Sequence, residues 1–124
     1  MLVRMTDNRD IAGKFKGTWH IYEMETWDED YFNMEVQAYI EIKPNGSGEF
    51  QFGLVSGLIS GDVEKTGNEE RFEFTFEASD EFDPVSGGGW LRLRDENSVE
   101  GKFRLHMGDD STFLAKRAES RDEP

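Results

Sequence analysis

The sequence predicts an all-β domain: a single antiparallel up-and-down β-barrel, or a curved meander, of seven to eight strands with one short helix after the first strand. Three observations carry this expectation. Apolar and polar residues alternate over several segments, most regularly in residues 71–78, where Phe72, Phe74, Phe76 and Ala78 interleave with Glu73, Thr75 and Glu77. Clusters of Gly, Asn, Asp and Ser punctuate these segments at short intervals. Only one stretch has helical spacing.

In chain order, the first strand is expected over residues 15–25. The helix follows over residues 27–33, with Thr26 as cap, Glu29 three positions on, and Trp27, Tyr31 and Met34 on one stripe. Val36, Ala38, Ile40 and Ile42 alternate with polar residues as a second strand, and Lys43-Pro44-Asn45-Gly46 reads as a hairpin turn. Residues 49–63 read as one long strand, with a bulge or bend at Ser56-Gly57 that would split it in two. After the phenylalanine strand, Ser86 to Trp90 reads as a flexible glycine-rich hairpin loop, because a phosphate-binding loop would have to open a helix. Residues 90–94, 99–107 and 112–116 complete the set. The expected organisation is an N-terminal arm at 1–14, a barrel at 15–117 and a charged tail at 118–124.

Composition narrows the function. The chain of 124 residues carries 27 acidic against 14 basic side chains, a net charge of -13, which repels nucleic acid and anionic membrane surfaces. It has no cysteine, so thiolate metal sites and disulfides are excluded and a cytoplasmic setting is expected. Arg4, Asp7, Arg9 and Asp10 interrupt the start of the sequence, so no signal peptide is expected there. No apolar run approaches the roughly 20 residues of a membrane-spanning helix. Ten phenylalanines supply the bulk for one packed core.

Gly17-Thr18-Trp19 on the first strand resembles the Gly-x-Trp signature of the lipocalin and fatty-acid-binding-protein superfamily. The resemblance implies a structural role for Gly17 and Trp19, the tryptophan closing one barrel end with Arg117 or Lys116 packed across it. A second lipocalin motif and the Arg-x-Tyr that holds a carboxylate in fatty-acid-binding proteins are both missing, so fatty-acid binding is not implied. Residues 17–115 also resemble small uncharacterised bacterial proteins of lipocalin-like, calycin-type appearance, through Phe50-Gln51-Phe52-Gly53 and Gly108-Asp109-Asp110-Ser111. That implies a bacterial source and no particular activity.

Four groups of residues are candidates for function. Asp80, Glu81 and Asp83 in one loop and Asp109 and Asp110 in another, with His106 beside them, are expected at one barrel end together with the turn at 44–48. Such loops are solvated turns, a calcium or magnesium site, or a place where one carboxylate titrates high enough to act as an acid. His20 and His106 are the only histidines, so three-histidine metal sites are excluded, and His106 with Ser111 or Ser86 lacks a nucleophile elbow. Trp90, Arg92 and Arg94 form either cross-strand ion pairs or a partner-binding patch. A lumenal pocket, if the phenylalanines leave room for one, would be lined by Trp27, Tyr31, Phe32, Phe72, Phe74 and Phe76.

The functional expectation is a noncatalytic module, monomer or homodimer and without cofactor, that binds a small apolar ligand or a protein. The alternatives are an acidic module that captures a basic partner and, behind it, a metal-dependent enzyme using the loop carboxylates.

Overall fold

The computed structural model describes residues 10–118, so the remainder of the expected arm and tail lies outside the described residues. Eight strands follow one another around a closed barrel, each antiparallel to the next, and the last pairs with the first. They are β1 (Gly17–Met24), β2 (Tyr39–Ile42), β3 (Ser47–Phe52), β4 (Val55–Thr66), β5 (Glu69–Asp80), β6 (Asp83–Asp95), β7 (Ser98–Leu105) and β8 (Asp110–Arg117). Helix α1 (Glu29–Phe32) stands between β1 and β2, and a 3₁₀ turn, Gly13–Phe15, precedes β1. Closure pairs every strand on both sides, which removes the exposed edge an open meander would carry.

Successive connections alternate between the two ends. The plug end holds Gly13–Phe15 and the turns at 43–46, 67–68 and 96–97; the helix end holds α1 and the turns at 53–54, 81–82 and 106–109. Ala12 and Phe15 are buried at the plug end, so the described part of the expected arm belongs to the barrel's closure.

Aromatic rings fill the interior. Phe103 stands 4.9 Å from Phe113 and 5.0 Å from both Phe50 and Phe52, ring centre to ring centre, and Phe74 and Phe76 meet it edge-on at 5.9 and 6.1 Å. Such spacings are those of favourable aromatic pairs. Glycines opposite the rings make the filling possible. A Cβ on Gly89 would stand 2.8 Å from Phe74 Cζ, one on Gly87 3.0 Å from Phe76 Cζ, and one on Gly101 2.6 Å from Phe113 Cζ. Large and small residues thus complement one another across the lumen, as a narrow barrel requires.

Several expectations are corrected. The glycine-rich segment is strand and not loop: Gly87, Gly88 and Gly89 pair with Phe76, Thr75 and Phe74, and at Gly87 and Gly89 the rings of Phe76 and Phe74 occupy space a side chain would need. The break in residues 49–63 falls at Gly53-Leu54, where Gly53 has φ of 59° and Phe52 pairs with Val55; Ser56 and Gly57 lie within an uninterrupted ladder. That additional turn shifts the alternation of ends, so the turn at 43–46 lies opposite the acidic loops, not beside them. The helix is shorter than expected. Its cap is Asp28, whose side chain accepts from the Tyr31 amide, whereas Thr26 Oγ1 is engaged with the Asp110 carbonyl. Val36 and Met107, expected in strands, lie outside them and are exposed.

Candidate functional site

At the plug end, Trp19 is fully buried and donates its indole N–H to the Phe15 carbonyl at 2.8 Å. The Arg117 guanidinium lies 4.1 Å from the Trp19 ring centre and donates to the carbonyls of Lys14, Lys16 and Glu96. Gly17 has φ of 123°, and a Cβ there would stand 2.8 Å from Arg117 Nη1, so the first strand needs glycine at this point. Lys116, the other basic candidate, instead lies over Tyr22 on the outer wall.

The expected lumenal set is divided. Trp27 packs on Phe52 at 5.1 Å and Tyr31 at 6.1 Å, with Phe32 buried beside the helix end, and the Tyr31 hydroxyl accepts from the Leu54 amide. Phe72 meets Phe15 of the plug, at the opposite end, while Phe74 and Phe76 pack on Phe103. These six residues belong to one continuous core and do not converge on one space.

Ser111 is the buried polar side chain of that core. Its Oγ accepts from the Thr26 amide at 3.0 Å and donates to the Thr112 carbonyl at 2.9 Å, tying the exit of β1 to β8. Because it is already partnered in this way, it is positioned as a tie and not as a nucleophile. Ser111→Ala should cost about 1–3 kcal/mol by leaving the Thr26 amide without its acceptor, and denaturant titration reads the loss directly.

The acidic loops do share the helix end. Asp80 and Asp83 flank the turn that carries Glu81 and Phe82, and Asp109 and Asp110 follow His106 and Met107 in the next turn but one. Glu81 and Met107 both have φ of 59°, the left-handed region that side chains seldom adopt. Asp110 faces Lys102 at 3.8 Å and Arg104 at 4.0 Å on the barrel wall. The His106 amide donates to the Ser86 carbonyl at 2.7 Å, which ties the two hairpins together. Among the described residues, no group of three or more histidine, aspartate or glutamate side chains is placed to hold a metal ion.

Two features of this end were not read from the sequence. Lysine and arginine are absent from residues 17–42, 44–64, 72–91 and 105–115, the four passes in which the chain runs to the helix end and back. Among the described residues this end therefore carries Asp28, Glu29, Asp30 and the loop carboxylates with few cations near them, Lys102 and Arg104 of β7 being those that reach Asp110. The large exposed apolar side chains lie in the same four passes: Phe82 is 95% and Met107 93% exposed, with Met34, Val36, Leu58 and Tyr22 exposed to a lesser degree. Phe82 is the one phenylalanine outside the core. The signal in the sequence was its position between Glu81 and Asp83, after Asp80 had ended the apolar alternation of Phe72, Phe74, Phe76 and Ala78.

On the outer wall, Trp90 is covered by the Arg71 guanidinium at 4.1 Å, and Glu69 bridges Arg71 and Arg92 while Arg92 also reaches Glu100. Arg94 is exposed at the end of the same strand. The Trp-Arg group is thus largely an internal ladder of charge pairs. Two further outer-wall groups titrate abnormally. Asp62 pushes the Glu64 carboxyl upward by hydrogen bonding and repulsion. Tyr39, half-buried and bonded through its hydroxyl to Glu49 at 2.9 Å, is pushed up to about 12, first by desolvation and then by that carboxylate.

The folded state therefore keeps the Tyr39 proton where the unfolded chain has released it. Its contribution to stability is complete below pH 10 and is lost as pH rises toward 12. Tyr39→Phe should flatten that alkaline loss in chemical denaturation curves taken at successive pH values.

Fold and interior together define a closed eight-stranded up-and-down barrel whose lumen is packed and whose helix end is acidic with exposed apolar tips. No protein-family model, curated protein or solved structure matches the chain.

Proposed function

We propose that this protein is a noncatalytic binding module of lipocalin-like type that works through its helix end, taking a basic, partly apolar segment of a partner protein. The observation that carries the reading is Phe82, 95% exposed in a chain whose other phenylalanines are buried, on a turn flanked by Asp80 and Asp83 and free of cations. Apolar tips within a field of one sign suit a partner that pairs Lys or Arg with apolar side chains. The charge would speed encounter and the tips would slow release.

The lipocalin-like assignment is supported by the strand count and by the Gly17, Trp19 and Arg117 arrangement. A bacterial, cytoplasmic setting is supported by the resemblance noted above and by the lack of cysteine. A ligand in the lumen is the less favoured reading, since it would have to displace the rings around Phe103.

The test uses a labelled peptide of alternating Lys and Leu. Binding should weaken about tenfold or more in Phe82→Ser, Met107→Ser, which leaves the net charge unchanged, because burying even one such side chain contributes about 1.5–3 kcal/mol. Charge reversal at Asp80, Glu81 and Asp83 should also weaken binding and reduce its sensitivity to salt. Equal binding by the uncharged variant would defeat the proposal, since attraction to net charge alone would then account for the capture.

A further inference from the structure

We propose a second and independent binding site, at the plug end, for a small anion: a carboxylate or phosphate carried on a short apolar body. Two contiguous surface depressions of about 740 and 670 Å³ share Lys14, Leu93 and Arg94. Both ammonium and guanidinium groups are exposed, and Leu93 lies half-buried between them, with Phe15 of the plug lining the larger depression.

These cations, like Lys43 and Lys116 elsewhere on the barrel, have no acidic partner among the described residues, and here two of them lie side by side. Lys16 is paired with Asp10, Lys65 with Glu70, and Arg92 with Glu69 and Glu100. No carboxylate among the described residues forms an ion pair with Lys14 or Arg94, and none with Arg117, which lines the smaller depression and spends its donors on backbone carbonyls. The acids of that depression are Asp95 and Glu96. Asp95 is turned into its own hairpin, where it accepts from the Asn97 amide at 2.8 Å while still feeling the Arg94 charge, so two carboxylates face the three cations Lys14, Arg94 and Arg117.

With a net charge of -13 the molecule repels anions over most of its surface, and near the helix end Lys102 and Arg104 both face the Asp110 carboxylate. The plug end is where an anion meets fixed positive charge with an apolar floor beside it. Arg94 supplies a planar fork suited to a carboxylate or phosphate, Lys14 a mobile ammonium, and Leu93 the contact for a short alkyl body.

The experiment is an amide chemical-shift titration of the full chain with octanoate and with octyl phosphate, using octanol as the uncharged control. Either anion should give saturable shifts confined to residues 13–16 and 93–97, while octanol gives none. Lys14→Gln, Arg94→Gln should weaken binding at least tenfold while leaving the melting temperature unchanged, since both side chains are exposed. The proposal is overturned by unaltered affinity in that double variant, by equal shifts with octanol, by shifts centred on Phe103 in the lumen, or by no shifts at all.

Discussion

Truncating Phe103 to alanine should destabilise the barrel by about 3–5 kcal/mol, a large share of the roughly 5–15 kcal/mol that holds a domain of this size together. The ring is fully buried and stands within 6.1 Å, centre to centre, of Phe50, Phe52, Phe74, Phe76 and Phe113, so its loss removes both its own transfer energy and the contacts of five neighbours. Collapse around the gap is restricted. Those neighbours are carried on β3, β5 and β8, whose ladders fix where each ring begins. The gap is apolar and should stay dry, so xenon or benzene should bind the variant, raise its midpoint in urea, and leave the parent protein unaffected. A loss below about 1 kcal/mol, or benzene stabilising the parent equally, would mean that the lumen is loosely filled and would return weight to a ligand inside it. Phe103→Leu, a smaller truncation, keeps the measurement possible if the alanine variant does not fold.

Arg117→Ala should cost about 2–4 kcal/mol. The guanidinium joins three parts of the plug end: the carbonyls of Lys14 and Lys16, the carbonyl of Glu96 in the β6–β7 turn, and the face of Trp19. Hydrogen bonds to a charged donor contribute about 1.5–3 kcal/mol each, and a cation over a ring from about 0.5–1 kcal/mol at exposed sites to about 2 kcal/mol when desolvated. The total is held below the sum because water can reach these carbonyls once the side chain has gone. Arg117→Lys should recover less than half of the loss, since an ammonium cannot address three carbonyls in a plane while lying flat on an indole. Denaturant midpoints of the three proteins, followed by tryptophan fluorescence, decide the matter. A lysine variant as stable as the parent would show that charge alone, without the fork, holds the end closed.

Much of the barrel was legible because its inward residues obey period two. Phe72, Phe74 and Phe76 were assigned to the core from alternation with glutamates, and they are there. What escaped was decided by pairs of strands rather than by single ones. Gly87 to Gly89 look like a loop in isolation and become strand only once the rings of Phe76 and Phe74 are known to need the space at Gly87 and Gly89. The Gly53-Leu54 turn was hidden because Leu54 carries on the alternation of Phe50 and Phe52, so the break was expected two residues later, at Ser56-Gly57. Missing it reversed the expected ends. The candidate sites suffered more: Phe72 and Trp27 were grouped by type, yet one belongs to the plug and the other to the helix end. The loop carboxylates were visible as a pair of clusters, whereas the cation-poor end emerges only when four separate stretches of sequence are folded onto it.

The seam between β1 and β8, where Trp19 lies opposite Arg117, differs from every other pairing in the barrel. Each of the other pairs joins neighbours in the chain and can zip from its own turn, but the seam must bring together residues that nearly the whole sequence separates. Its loop-closure entropy is met only after the hairpins exist, so it forms last on the way to the native state. In native-state hydrogen exchange the amides of this seam should open at lower free energy than those shared by β4, β5 and β6. The motif that resembles a family signature, Gly17-Thr18-Trp19, thus sits on the strand that completes the circle, and its guanidinium partner acts as the latch.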